Sequence, residues 1–141
     1  MHDVRNLIPA HKADFERAQA AVKAGYPEVE PILGELVEWL QDYNWPVAHI
    51  LAPFLASLGA PLAPHISRVF QTDDCVWKYW VIILLVRSLP EDAAAGFRPE
   101  LERLCHTPQP NEKEEDLDQQ ARKILEHFGW LQEHAKPRGS N

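Results

Sequence analysis

One long stretch of this chain has no cations. No Lys or Arg occurs between Lys23 and Arg68, while Glu28, Glu30, Glu35, Glu38 and Asp42 all fall in that gap. With a net charge of −7 the chain is a poor match for nucleic acid, because duplex binding depends on protein cations replacing counterions. It leaves room for a basic protein partner. Cysteine is scarce too: Cys75 and Cys105 are the only two, too few for a disulfide framework or a four-thiolate zinc site. The six glycines never cluster, which excludes a phosphate-cradling loop. None of the four serines, Ser57, Ser67, Ser88 and Ser140, sits in a nucleophile-elbow context. Long hydrophobic runs are missing as well. Val81 to Val86, with Tyr79 and Trp80 ahead, is hemmed in by Lys78 and Arg87, and a bilayer span needs about 20 apolar residues. The start "MHDVRNLIPAHK" is polar and broken by Pro9, unlike a signal peptide. These readings predict a cytoplasmic protein without membrane segment, metal or cofactor.

What the chain does have is a repeat. Pro27 to Gly59 overlays Ala60 to Pro90, with Pro31 and Pro64 33 positions apart and Trp45 and Trp77 32 apart. A degraded third copy starts at Pro99. Periods of roughly 20–50 residues mark stacked supersecondary units.

Periodicity identifies the units as helical. Val29, Ile32, Leu33, Leu36, Val37 and Leu40 recur as one face of a helix, which the sequence predicts to start with Pro27 in its first turn. Asn44 then reads as an N-cap with Pro46 in the first turn. The following helix buries Val47, Ile50, Leu51, Phe54, Leu55 and Leu58, bends at Pro53 and ends at Gly59, where positive φ is wanted. In the second pair Leu62, Ile66, Val69 and Phe70 line one helix. Asp73 or Asp74 caps the next, Cys75 to Leu89, which is apolar nearly all round. Phe15, Ala18 and Val22 give a short N-terminal helix closed by Gly25. Phe97, Leu101 and Leu104 mark a helix with Pro99 in its first turn. "TPQPNEKEED" reads as a polar loop, and Leu117, Ala121, Ile124, Leu125 and Phe128 line a last helix stopped by Gly129. The expectation is an all-α fold: a short α-α superhelix of about three helical hairpins plus an N-terminal helix, as a single domain over 1–135 with a flexible tail at 136–141. Ile32, Leu36, Leu51, Phe54, Leu55, Ile66, Val69, Ile83, Leu84 and Leu125 are expected to share one core.

The spacing resembles HEAT repeats. The first unit carries an early proline, Asp42 at the turn, Val47 and Ala52 along the second helix, and Leu58-Gly59 at the end. The second keeps Pro64, Asp73-Asp74, Val76 and Leu89. The third keeps Pro99 and Phe128-Gly129 around an enlarged loop. From "LIPAHKADFERA" to "ARKILEHFGW" the chain also resembles the small bacterial proteins catalogued as domain of unknown function 5071, chiefly through "WLQDYNWPVA" and "DDCVWKYWVIILLV". That resemblance implies a fold and no catalytic residues. The HEAT-like one implies protein binding, by analogy of fold.

Candidates for chemistry are few. No histidine pair has the i, i+4 spacing of a helical zinc site, and His127 and His134 are seven apart. Cys75 sits at a predicted helix start, which lowers a thiol pKa, but Asp73 and Asp74 beside it raise that pKa again. Cys105 and His106 are sequence neighbours and point in different directions on a helix. Two surfaces stand out instead. On a helical wheel Glu28, Glu35, Glu38 and Asp42 fall within about 80° of one another, with Trp39 at their edge. This suits a basic or Arg-bearing protein surface, or else a solvated face with Trp39 covering a helix joint. The second surface is the back of the Pro46 helix, with His49, Ala52, Pro53 and Ala56 either leaving room for a partner or admitting a neighbouring helix. Trp77, Tyr79 and Trp80 read as core rather than as an aromatic cage.

The functional expectation is a non-enzymatic protein-binding module, with Glu28, Glu35, Glu38, Trp39, Asp42 and His49 as candidate contacts. Its alternatives are an immunity-type protein neutralising a bacterial toxin, a HEAT-like nucleic-acid enzyme such as an alkylpurine DNA glycosylase, and a structural role through self-association.

Overall fold

A computed structural model describes residues 3–131. The tail expected at 136–141, the domain end at 135 and His134 lie outside the described residues. Among those residues the chain is all-α, with no strand. The helices are α1 (Phe15–Ala24), α2 (Leu33–Glu38), α3 (Pro46–Ala56), α4 (Ala63–Phe70), α5 (Cys75–Leu84), α6 (Glu91–Ala94), α7 (Arg98–His106), α8 (Pro110–Glu114) and α9 (Leu117–His127), with 3-10 turns between several of them. α7 lies against α9 in the most extensive helix pair. α1 packs on α3, α3 on α5, α5 on α9, and α2 on α4.

Local signals set most of the boundaries. Asp14 and Asp74 cap α1 and α5 by accepting from the Arg17 and Trp77 amides. Gly25, Gly59 and Gly129 take positive φ at helix ends, as their positions in the sequence suggest. Pro99 sits in the first turn of α7, and Pro53 lies inside α3, which continues to Ala56.

Several boundaries differ from expectation. The helix expected over Cys75 to Leu89 stops at Leu84, with a 3-10 turn at Val86–Ser88, and α3 ends at Ala56, short of Gly59. The first unit becomes helical only at Glu30, as a 3-10 turn through Ile32 that leads into α2. Pro27 precedes it, after a cis Tyr26-Pro27 bond. Asn44 does not cap α3, because Trp45 holds that position without a side-chain cap. The orphan amide of Val47 instead donates to the Lys12 carbonyl, 3.0 Å away. The loop expected after Thr107 contains α8, opened by a capping box between Gln109 and Glu112 with Pro110 in the first turn. Glu112 is buried, and its carboxylate accepts two bonds from the Arg103 guanidinium, at 2.7 and 3.1 Å, and one from the Gln109 amide. This fork fastens α8 to α7.

The core is continuous, and Ile32, Leu36, Leu51, Leu55, Ile66, Val69 and Leu125 lie in it. Phe54, Ile83 and Leu84 are only half-buried and pack against its edge. On α5 and the residue after it, the inward stripe is Cys75, Lys78, Val81, Ile82 and Leu85, a 3.6-residue spacing that rotates Ile83 and Leu84 outward. The Lys78 side chain is only 6% exposed over its length. Its aliphatic stem runs among apolar neighbours. No helix among the described residues is long and apolar enough to cross a membrane.

Candidate functional site

The acidic stripe rests on one unbroken helix from Glu28 to Asp42, and the structure divides it. After Glu38 the chain tightens, with Trp39, Leu40 and Gln41 donating to the carbonyls three residues back. Glu28 precedes the helical segment. It lines a separate cavity of about 650 Å³ with Asp3, Asn6, Leu7 and Lys23, where a cation already stands among the carboxylates. Asp42 is committed locally, its carboxylate accepting from the Asn44 amide at 2.8 Å to shape the turn before α3. Neither residue joins the others.

Glu35, Glu38 and Trp39 do come together. They line a notch of about 280 Å³ with Ile8, Pro9, Gln41 and Trp45. Trp39 stands edge-on to Trp45, ring centroids 5.5 Å apart, so it covers the α2–α3 joint and also walls the notch. Arg5, 30 positions earlier in sequence, places its guanidinium 3.7 Å from Glu35. Arg5 is well exposed, so this pair is weak. Glu38 is exposed and makes no ion pair among the described residues.

His49 leads elsewhere. It is exposed and stacks on Tyr43 at 4.3 Å, and Tyr43 in turn lies 5.4 Å from Trp80. On the same back of α3, Pro53 is exposed but Ala52 is buried. Small size at Ala52 therefore serves packing rather than a partner.

Trp80 marks a site that the sequence reading passed over. Of the three aromatics assigned to the core, Trp77 is part-buried and donates its indole N–H to the Val37 carbonyl. Tyr79 and Trp80, T-shaped at 5.0 Å, line a cavity of about 390 Å³ with Val76, Glu114, Glu115 and Asp116. The acidic side of this cavity comes from the segment read as a loop. Gln109 with Glu112 at capping-box spacing was the available signal for a helix there, whose end delivers Glu114 and Glu115.

Burial pushes the Cys75 thiol pKa up. Lys78 draws it down, while Glu112, Glu115 and Asp74 add to the rise. Among the described residues no three His, Cys, Asp or Glu side chains converge to hold a metal ion.

Comparison with curated proteins finds no match. The family model described as a domain of unknown function (DUF5071) matches residues 7–125, and the chain belongs to that family.

Proposed function

We propose that this chain is a non-enzymatic protein-binding module, built as a short superhelix of HEAT-like hairpins, which takes a basic side chain of its partner into the notch at the end of α2. The stacking of α1 on α3, α3 on α5 and α5 on α9, with α2 on α4, supports the superhelical reading. One observation carries the binding reading: Glu35, Glu38 and Trp39 line a single notch together with Trp45. A cation entering there meets an aromatic wall braced by a second ring and a carboxylate with no ion pair among the described residues. Aromatic and carboxylate groups side by side favour a desolvated Lys or Arg more than either does alone. Arg5 is the internal competitor, and a partner's cation would displace it from Glu35.

The test is a comparative pull-down from the native cell, with wild type against Glu38→Lys and Trp39→Ala, each checked for fold by circular dichroism. The reading expects one protein to be captured by wild type and lost from both variants. Equal capture by all three would remove the notch from the account.

A further inference from the structure

The cavity between α5 and the α8–α9 turn has two walls of different chemical character. Its apolar wall is Val76, Tyr79 and Trp80, and its polar wall is Glu114, Glu115 and Asp116. No cation lines it. Glu114 and Glu115 are exposed and make no ion pair among the described residues, and the Asp116 carboxylate accepts from the Gln120 side-chain amide at 3.0 Å. Val76, at 42% exposure, is one of three large hydrophobic side chains left open to solvent among the described residues. Trp80 is held between two rings, Tyr79 at 5.0 Å and Tyr43 at 5.4 Å, and Tyr43 is itself stacked on His49. A ring fixed in this way offers its surface without further loss of side-chain freedom on binding.

We propose that this cavity docks an arginine-bearing segment of a partner protein, with the guanidinium flat against one ring of the perpendicular Tyr79–Trp80 pair and its N–H groups directed to Glu114 and Glu115. Charge complementarity selects a cation. The aromatic wall selects arginine over lysine, because a planar guanidinium stacks on a ring while donating to carboxylates in its own plane, and a compact ammonium cannot do both. The inference rests on the protein-binding reading and extends it to a second cavity that shares no lining residue with the α2 notch.

The experiment is a titration of the full chain, followed by the five tryptophan indole N–H signals in two-dimensional NMR. The probes are a capped nine-residue peptide of alternating arginine and glycine and its lysine counterpart of equal charge. The arginine peptide should shift the Trp80 indole and bind at least fivefold more tightly than the lysine peptide. Glu114→Gln with Glu115→Gln, and separately Tyr79→Ala, should each weaken it by tenfold or more. Glu35→Gln with Glu38→Gln should leave the Trp80 response unchanged. Equal affinity for the two peptides, or binding unaltered by the Glu114 and Glu115 changes, would overturn the proposal. Shifts confined to Trp39 and Trp45 would also overturn it while leaving the α2 notch standing. Shifts confined to Trp80 would support this cavity and count against the notch.

Discussion

The Trp77 indole donates to the Val37 carbonyl across 3.2 Å, joining α5 to α2 over 40 positions of sequence. The bond ties the second helix of one repeat to the first helix of the preceding one. That carbonyl also accepts from the Leu40 amide at 3.0 Å, so removing the indole leaves it partly satisfied. Trp77→Phe should therefore destabilise by about 1 kcal/mol, the net worth of a neutral hydrogen bond. Urea denaturation checks it, with an unchanged slope and a lower midpoint expected.

Two glycines should respond with opposite signs. At Gly34, inside α2, an added Cβ would lie 3.4 Å from His65 Nδ1 and 3.5 Å from the Arg68 guanidinium, at ordinary contact distance. Gly34→Ala should stabilise by up to about 1 kcal/mol through helix propensity. Gly59 has φ of +74°, where a side chain is strained, so Gly59→Ala should cost about 1 kcal/mol or more. Thermal melts of the two variants give the comparison.

His65 should make stability fall in mild acid. Its Nδ1 is buried without a hydrogen-bond partner. Burial holds its pKa below the ordinary value, Arg68 adds to the depression, and Glu30 and Glu35 oppose it. The unfolded chain therefore takes up the proton first, so the contribution is complete above about pH 6.5 and is lost as pH drops toward the folded value. The stability difference between wild type and His65→Gln should shift against wild type between about pH 7 and 5. Parallel profiles would contradict this.

Glu112 should set a second, more acidic limit. Hydrogen bonds from Arg103 hold its carboxyl below the usual range, against the cost of burial, and the Gln109 amide assists. A depressed carboxyl stabilises above its unfolded value, about 4.3, and loses that contribution as pH falls through the folded one. Glu112→Gln should cost about 1.5–3 kcal/mol at neutral pH, as loss of a charged hydrogen-bonded partner does. Its effect should shrink below pH 4, measured by urea denaturation across pH.

Most helix ends were legible because they are written in residues with one structural meaning each. Pro31, Pro64 and Pro99 open helices, and Gly25, Gly59 and Gly129 close them. The apolar stripe of α2 alternates with a polar face, so its core residues could be named. α3 has almost no polar face, and there Ile50, Phe54 and Leu58 of the expected stripe are only half-buried while Ala48 and Ala52 lie inside. α5 could not be read in this way. With apolar residues on every side its inward face has no contrast, and the one polar residue near its middle, Lys78, points inward rather than out. The acidic stripe misled for a related reason. A helical wheel assumes one unbroken helix, and the i→i−3 bonds after Glu38 end that geometry before Asp42. The Trp80 cavity was beyond periodicity altogether, because its two walls lie some 35 residues apart and meet through the packing of α5 on α9 and the contact of Asn111 with Cys75.

The rate at which the captured partner associates, measured as a function of salt, tests the protein-binding account most directly. Carboxylates that steer a basic surface accelerate encounter, and screening removes that gain. Wild type should associate fast at low salt and slow markedly as salt rises. Glu35→Lys with Glu38→Lys should start slower and lose most of that dependence, with its fold and melting temperature kept. An association rate that is the same for both proteins and indifferent to salt would contradict the account.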